Sequence, residues 1–408
     1  MLKTVLTERN QLWTLAVVFF VTYMPMKIIY TMLPLYVKQM GGTSNDIGMA
    51  MGLGVLGYFI GYPLWGWISD QSGKRIIFII LGPFGYLCMA GALAVSTTPS
   101  HIILFHFTGA FIASAAQPAL KAYVGDVTTR EARGRWMGTM GGAATLGMSV
   151  GALLAGAAMS SSFEKSLGLT GFIALSAMGL AAIVIWKDKQ GKRKTHENIN
   201  SGEVLRTLLT GQSLLWILAG VAFLTFMPRM MIATMLPLYV KHMGGSNNDV
   251  GLVMGLGYLG YFFGSPFWGW ISDRSRKRIV YVILGPFGYA CMAAALAVSG
   301  SMSHVIIFYF LAAFIASAVM PALGAYVGDV TTPEVRARWM GVMAGSSTLG
   351  MSVGGVISGV AMSKGFQECL GLSGFIGLLA IGLAAIAIWK DFQINRRGHQ
   401  GVDNPVIL

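Results

Sequence analysis

Charge is what this sequence has least of. Asp, Glu, Lys and Arg make up 11% of its 408 residues, where water-soluble chains carry about 25%. Apolar side chains make up 55%, with a mean hydropathy of +0.65, and a soluble fold of this length has no interior large enough to hide them. Lipid is therefore the expected solvent. Cysteine is equally sparse. Cys88, Cys291 and Cys369 supply no disulfide framework, and the first two fall inside apolar runs, where they read as small packing residues. A phosphate-cradling loop and a cluster of metal-ligating side chains are both missing, so no enzyme reaction, cofactor or metal is expected. The net charge of +13 would suit nucleic acid if it were gathered on a hydrophilic domain. It is scattered instead in short clusters between apolar runs, which argues against a nucleic-acid partner and fits orientation in a bilayer.

A bilayer-crossing helix needs about 20 mainly apolar residues. Runs of that kind fall near 12–37, 46–68, 76–96, 102–124, 136–158 and 171–187, and again near 215–240, 249–271, 279–299, 305–327, 339–361 and 374–390. The first run continues to about Val37 with no small-residue cleavage site, so it reads as a span and not as a removable signal. Residues 188–212 form the one long polar stretch and are expected to link a half at 1–187 to a half at 213–408. With residue 1 in the cytoplasm, Lys74, Arg75, Arg130, Arg133, Arg135, the linker cluster, Arg274, Arg276, Lys277, Arg278, Arg336 and Arg338 all fall inside. Only Lys38, Lys165, Lys241 and Lys364 fall outside. A multi-pass protein of the inner or plasma membrane, with both termini cytoplasmic, is expected.

One internal repeat dominates the sequence: residue n matches residue n+203 without a gap from Trp13/Trp216 to Trp186/Trp389. TMLPLYVK occurs at 31 and 234, WGWISD at 65 and 268, LGPFGY at 81 and 284, AYVGDVTT at 122 and 325, and TLGMSVG at 145 and 348. Each copy holds an even number of spans, so both copies enter and leave on the same side. The expected fold is an all-α membrane protein of twelve transmembrane helices, in two six-helix halves related by a pseudo-twofold axis along the membrane normal. A binding site is expected between the halves near mid-membrane. Gly48, Gly52, Gly54, Gly57, Gly61 and Gly66 of the second span recur in the eighth, and Gly138, Gly142, Gly147, Gly151 and Gly156 of the fifth recur in the eleventh. Four-residue glycine spacings let helix backbones approach closely, and side-chain-poor faces would also let two halves rock on each other.

The loop after the second span, GYPLWGWISDQSGKR at 61–75, and its copy GSPFWGWISDRSRKR at 264–278 resemble the signature loop of the major facilitator superfamily. PALKAYVGDVTTREARGRWMG at 118–138, repeated at 321–341, is similar to the connection between helices 4 and 5 in the drug:proton antiporter branch. The resemblance covers essentially the whole chain. It implies a secondary transporter that moves a small organic solute by alternating access, as drug-like efflux or exchange, with a coupling proton or counter-ion as a further partner. A monomer in the lipid bilayer is expected. The resemblance places Gly66, Asp70, Gly73 and Arg75 on a cytoplasmic gate, and the repeat adds Gly269, Asp273 and Arg278, with Asp126 and Asp329 close by. A carboxylate at Asp70 would meet the partial positive charge at the start of helix 11, and Asp273 that of helix 5. Two positions depart from the branch. Phe105 and Phe308 stand where its proton-coupling motif has an arginine, and Ala152 stands in the place of a helix 5 proline.

Ionisable residues inside spans are costly and are candidate functional groups for that reason. Lys27, Lys121 and Arg229 qualify, whereas the carboxylates keep to span ends. Bases without acids point away from an acid-driven cation exporter and towards an anionic or neutral solute, which makes an organic-anion or phosphate-ester carrier using Lys27 and Arg229 the alternative. Lys27 shares a helix face with Tyr23, Tyr30 and Pro34. The repeat sets Met26 opposite Arg229, so the two bases are offset by about 100° around their helices. Gln117, Met320, Tyr123 and Tyr326 complete the expected cavity, and Pro25, Pro118, Pro228 and Pro321 read as kink devices. A receptor or scaffold without transport is the alternative from another class, and the two intact gate loops speak against it.

Overall fold

The computed structural model describes residues 2–128, 130–187, 213–275, 277–331 and 333–400; the expected linker at 188–212 lies outside the described residues. Among the described residues twelve helices are long and apolar enough to cross a membrane: α1 (Leu12–Gln39), α2 (Ser44–Ser72), α3 (Arg75–Ala94), α4 (Pro99–Val127), α5 (Gly134–Met159), α6 (Phe163–Ile183), α7 (Ser213–His242), α8 (Asn247–Ser275), α9 (Arg278–Ala297), α10 (Met302–Val330), α11 (Arg338–Met362) and α12 (Phe366–Gln393). The number of spans and their order are those expected. α6 and α12 begin about eight residues before the apolar runs at 171 and 374, because their first turns carry Glu164 and Glu368. Acidic side chains favour a helix N-terminus, so a purely hydropathic reading trims these helices short.

Helix starts are fixed by side-chain caps that the repeat copies. Thr43 and Asp46 close a reciprocal capping box on α2, and Ser246 and Asp249 make the same contacts on α8. Thr98 and Ser301 cap α4 and α10. α4 and α10 are interrupted at Ser114–Ala115 and Ser317–Ala318. Pro118 and Pro321 lie just beyond, and a proline ring denies the carbonyl four residues back its helical partner, so these two prolines act as the expected kink devices. Pro25 and Pro228 do not break their helices, which run on unbroken through them.

The halves meet along two seams, α2 against α11 and α5 against α8, and these seams are graded. At the end carrying the α1–α2 loop, a Cβ placed on Gly48 would stand 2.6 Å from Gly359 Cα, and one on Gly251 would stand 2.7 Å from Gly156 Cα. One step inward, Ser352 Oγ donates to the Gly52 carbonyl at 2.9 Å and Ser149 Oγ to the Gly255 carbonyl at 2.8 Å. Further along, only ring contacts remain, Phe59 to Gly345 and Phe262 to Gly142, where a Cβ would lie at 3.6 and 3.5 Å. Beyond them Gly138 and Gly341 face open space. The buried core follows the same gradient. One apolar cluster joins both halves at the tight end, and it divides into separate clusters, Leu12 to Ala181 in one half and Leu214 to Ala387 in the other, towards the end carrying the basic loops. Among the described residues the bundle is therefore sealed at one end and parted at the basic end.

Candidate substrate-binding site

Between the two basic-end cores each half builds a small tyrosine-lined pocket, and the repeat relates the two. Tyr58 and Tyr86 share a hydrogen bond at 2.8 Å in the first half, and Tyr261 and Tyr289 share one at 2.5 Å in the second. This pairing is a common frame. The pockets differ because the residues around that frame differ. The first half has Tyr62 and Met26 where the second has Ser265 and Arg229, and the pockets measure about 20 Å³ and about 170 Å³ respectively. A tyrosine exchanged for a serine empties the space, and a methionine exchanged for an arginine charges it.

Arg229 lies roughly midway along α7 with its guanidinium 5.1 Å from the Tyr261 ring centroid and 5.2 Å from that of Phe226. Lys27, midway along α1 of the other half, is 3% exposed. Its Nζ sits 4.5 Å from the centre of the Tyr258 ring, a cation–π contact across the interface. Tyr258 also lines the pocket that holds Arg229, so one side chain borders both cations. No carboxylate among the described residues forms an ion pair with either cation. Two charges are thus held in the membrane interior by aromatic faces and one phenol. Each of the three residues stands where the repeat is broken: Lys27 matches Met230, Arg229 matches Met26 and Tyr258 matches Val55.

The other expected site residues divide. Tyr23 accepts a hydrogen bond from Gln117 Nε2 at 2.9 Å and lines the smaller pocket with it. Tyr30 turns away from that pocket and meets the His106 ring edge-on at 5.2 Å. Lys121 is exposed, one turn from Gln117, and its repeat mate is Gly324. Met320 lines the larger pocket, whereas Tyr123 and Tyr326 are buried in the packing of the basic-end cores.

Three features escape a reading of the sequence. Tyr258 reads as one more aromatic in an apolar span. The tyrosine pairs carry a signal, since a hydroxyl at 58, 86, 261 and 289 keeps the repeat. His106 carries one too, as an ionisable side chain in mid-span: it is fully buried, with Nδ1 2.7 Å from the Ala50 carbonyl, and its ring fills the space a Gly54 side chain would take.

The expected gate residues are brought together within each half. Arg75 pairs with Asp70 and, at 2.9 Å, with Asp126. Arg278 pairs with Asp273 at 3.0 Å and Asp329 at 2.9 Å. Each cluster ties the loop after α2 or α8 to the end of α4 or α10. In this parted arrangement Asp70 and Asp273 are engaged by the arginines of their own halves. Gly73 ends α2 at φ +63°, a left-handed conformation that favours glycine. Its repeat mate, residue 276, lies outside the described residues. Gly66 and Gly269 approach Pro118 and Pro321, leaving 3.5 and 3.6 Å for a Cβ.

Two repeated halves of apolar helices, each long enough to cross a bilayer, define a polytopic membrane protein. The chain belongs to the Major Facilitator Superfamily, whose family model matches residues 15–246 and 218–400. Multidrug resistance protein 2 of Bacillus subtilis (strain 168) is 27% identical over 188 residues, covering 45% of this chain and 46% of that protein. The Quinolone resistance protein NorA of Staphylococcus aureus (strain MRSA252) is 23% identical over 181 residues, 44% of this chain and 46% of that one. The chain thus spans about half the length of the curated relatives it matches. Among solved structures it is similar to a bacterial homolog of the human lysosomal transporter Spinster in an inward-facing, unoccupied conformation, with a TM-score of 0.74 at 13% identity over 94% of this chain and 97% of that one. It is also similar to the nucleoside transporter NupG, with a TM-score of 0.71 at 15% identity over 93% and 98%. At these identities the likeness is one of fold.

Proposed function

We propose that this protein is a secondary transporter that carries a small organic solute across the plasma membrane by alternating access. The graded seam carries the reading. Backbone-to-backbone glycine contacts close one end, and the other end parts around a central cavity, so a rocking motion would exchange which end is sealed. The excess of basic loop residues supports a cytoplasmic position for the parted end and both termini. The state described here is then inward-open, and Asp70 and Asp273 act as gate residues when the basic ends of the halves come together.

Two signals bear on the solute. The names of the curated relatives favour drug-like compounds, by efflux or exchange. The charge inventory favours anions, because among the described residues no carboxylate pairs with Lys27 or Arg229. Proton coupling remains open to other groups, since Phe105 and Phe308 occupy the arginine position of the antiporter branch.

Alternation is checked without knowing the solute. Spin labels on cysteines at Lys74 and Lys277, in bilayers, should show two distance populations, and a single fixed distance under all conditions would sink the mechanism. Orientation is checked with the same protein. A cysteine at Lys74 should label only from the cytoplasm and one at Asn45 only from outside; labelling of both from one side would defeat the twelve-span topology.

A further inference from the structure

We propose that the solute is an aromatic monoanion, with a carboxylate as head group, which binds in the second-half pocket beside Lys27 and Arg229 and competes with the Tyr258 hydroxyl for the two cations. This rests on the transport reading for its purpose, though not for its binding chemistry. The head-group argument is electrostatic. Among the described residues the Lys27 ammonium and the Arg229 guanidinium meet aromatic faces and pair with no carboxylate, and charges inside a membrane protein are otherwise paired. An anion supplies the missing partner, and a planar carboxylate matches the planar arginine fork by two parallel hydrogen bonds. Lys27 would keep the Tyr258 ring as a cation–π partner, so one negative charge meets the need.

The body of the solute is set by shape. The pocket of about 170 Å³ is walled by Phe226, Tyr261 and Tyr289, and a cavity of about 150 Å³ is enough to hold a benzene ring. Ring faces at offset or edge-on angles favour an aromatic guest over an aliphatic one of equal size. The repeat supports the assignment from an independent direction. The tyrosine frame present in both halves encloses almost nothing in the first half, and every residue that opens or charges the second pocket is one the repeat does not share.

Tyr258 gives the proposal a signed test. If its hydroxyl competes with the ligand for the two cations, removing that hydroxyl should tighten binding; if the hydroxyl binds the ligand, removal should weaken it. Purified full-length protein would be titrated with benzoate, its neutral isostere benzamide, phenyl phosphate and benzyltrimethylammonium, with thermal shift as the readout. Benzoate should bind at least tenfold better than benzamide and the cation. Tyr258→Phe should tighten benzoate by about three- to tenfold, the span of one ordinary hydrogen bond. Arg229→Lys, which keeps the charge, should weaken it. Equal binding of benzamide and benzoate, or weaker benzoate binding by Tyr258→Phe, would overturn the proposal, and the first comparison needs no variant. Tighter binding of phenyl phosphate than of benzoate would overturn the monoanion assignment. Benzoate bound with the expected pattern but never exchanged across proteoliposomes would uphold the site and remove the transport reading. A solute exchanged by the parent and indifferent to both substitutions would do the reverse.

Discussion

Methionine in place of Arg229 is expected to make the empty protein more stable and its binding of an anionic solute weaker. The two signs follow from one cause. Arg229 is a cation in the membrane interior whose partners are aromatic rings, and at the centre of a span an uncompensated arginine costs roughly 2.5–3.5 kcal/mol on insertion scales. Partial access to the cavity lowers that figure, so a gain of about 1–2 kcal/mol is the expectation for the empty state. Methionine is also what the first half carries at this position, as Met26, so the fold already accommodates it. Binding moves the other way. Losing a charge-assisted hydrogen-bonded pair should cost about 1.5–3 kcal/mol of affinity, a factor of roughly 10 to 150. Arg229→Lys should fall between, keeping the charge and losing the fork, and Lys27→Met should act in the same direction as Arg229→Met. Thermal unfolding of the empty variants and titration of the folded ones measure both signs. A less stable Arg229→Met protein that binds its solute as well as the parent would mean that the cations are structural. The aromatic walls would then hold a drug-like solute unaided.

Much of this was legible from residues alone, for identifiable reasons. Span number and order follow from apolar length, and the repeat fixes the relation of the halves because it runs without a gap from Trp13/Trp216 to Trp186/Trp389. Lys27 and Arg229 stand out because ionisable groups in spans are rare. Their one-residue offset suggested that they would point apart. In the structure Tyr258, from a third helix, α8, lies under the Lys27 ammonium and lines the pocket that holds Arg229. That convergence depends on how the halves pack, which no single-chain pattern encodes. The gate is hidden for a different reason. Asp70 and Asp273 each have several basic residues near them in sequence, and the repeat does not select among those. In the parted state the nearby Arg75 and Arg278 take them.

Polarity and packing also trade roles between the halves. His106 and Tyr309 are repeat mates, each filling the space above a glycine, Gly54 or Gly257, so ring volume is what the position requires. The tyrosine frame is likewise common to both halves. Repeated residues therefore hold the bundle together, whereas the unrepeated ones, Lys27, Arg229, Tyr258 and Ser265, differentiate the cavity. A duplicated scaffold is symmetric by origin, and a site for an asymmetric solute has to be made by departing from it.

The second large effect is expected at the closed seam. Gly48→Ala combined with Gly251→Ala should drive the protein out of the state described here and towards the one open at the opposite end. The two glycines are repeat mates on α2 and α8, each facing the backbone of a helix from the other half. An added methyl at Gly48 meets Gly359 Cα at 2.6 Å and Gly359 N at 2.7 Å, and one at Gly251 meets Gly156 Cα at 2.7 Å and the Ala152 carbonyl at 2.8 Å. Backbone atoms cannot swing aside as a flexible side chain can, so the helices must separate. Overpacking of this kind costs about 1–3 kcal/mol per site, and only the state in which these seams are closed bears it. With each 1.4 kcal/mol worth about a factor of ten in population, the pair should reverse a modest preference for the state described here. Gly147→Ala is the control. Its Cβ would stand 2.1 Å from the Phe20 carbonyl, on the α1–α5 contact inside one half, so it should lower stability in both states without shifting their ratio. Spin labels at Thr43 and Lys364 should move apart in the double variant, while labels at Lys74 and Lys277 draw together. If neither distance changes in a folded double variant, the glycine seam is packing alone and the rocking axis lies elsewhere. If Gly147→Ala shifts the ratio as strongly, the closure energy is spread through the halves and is not held at the interface.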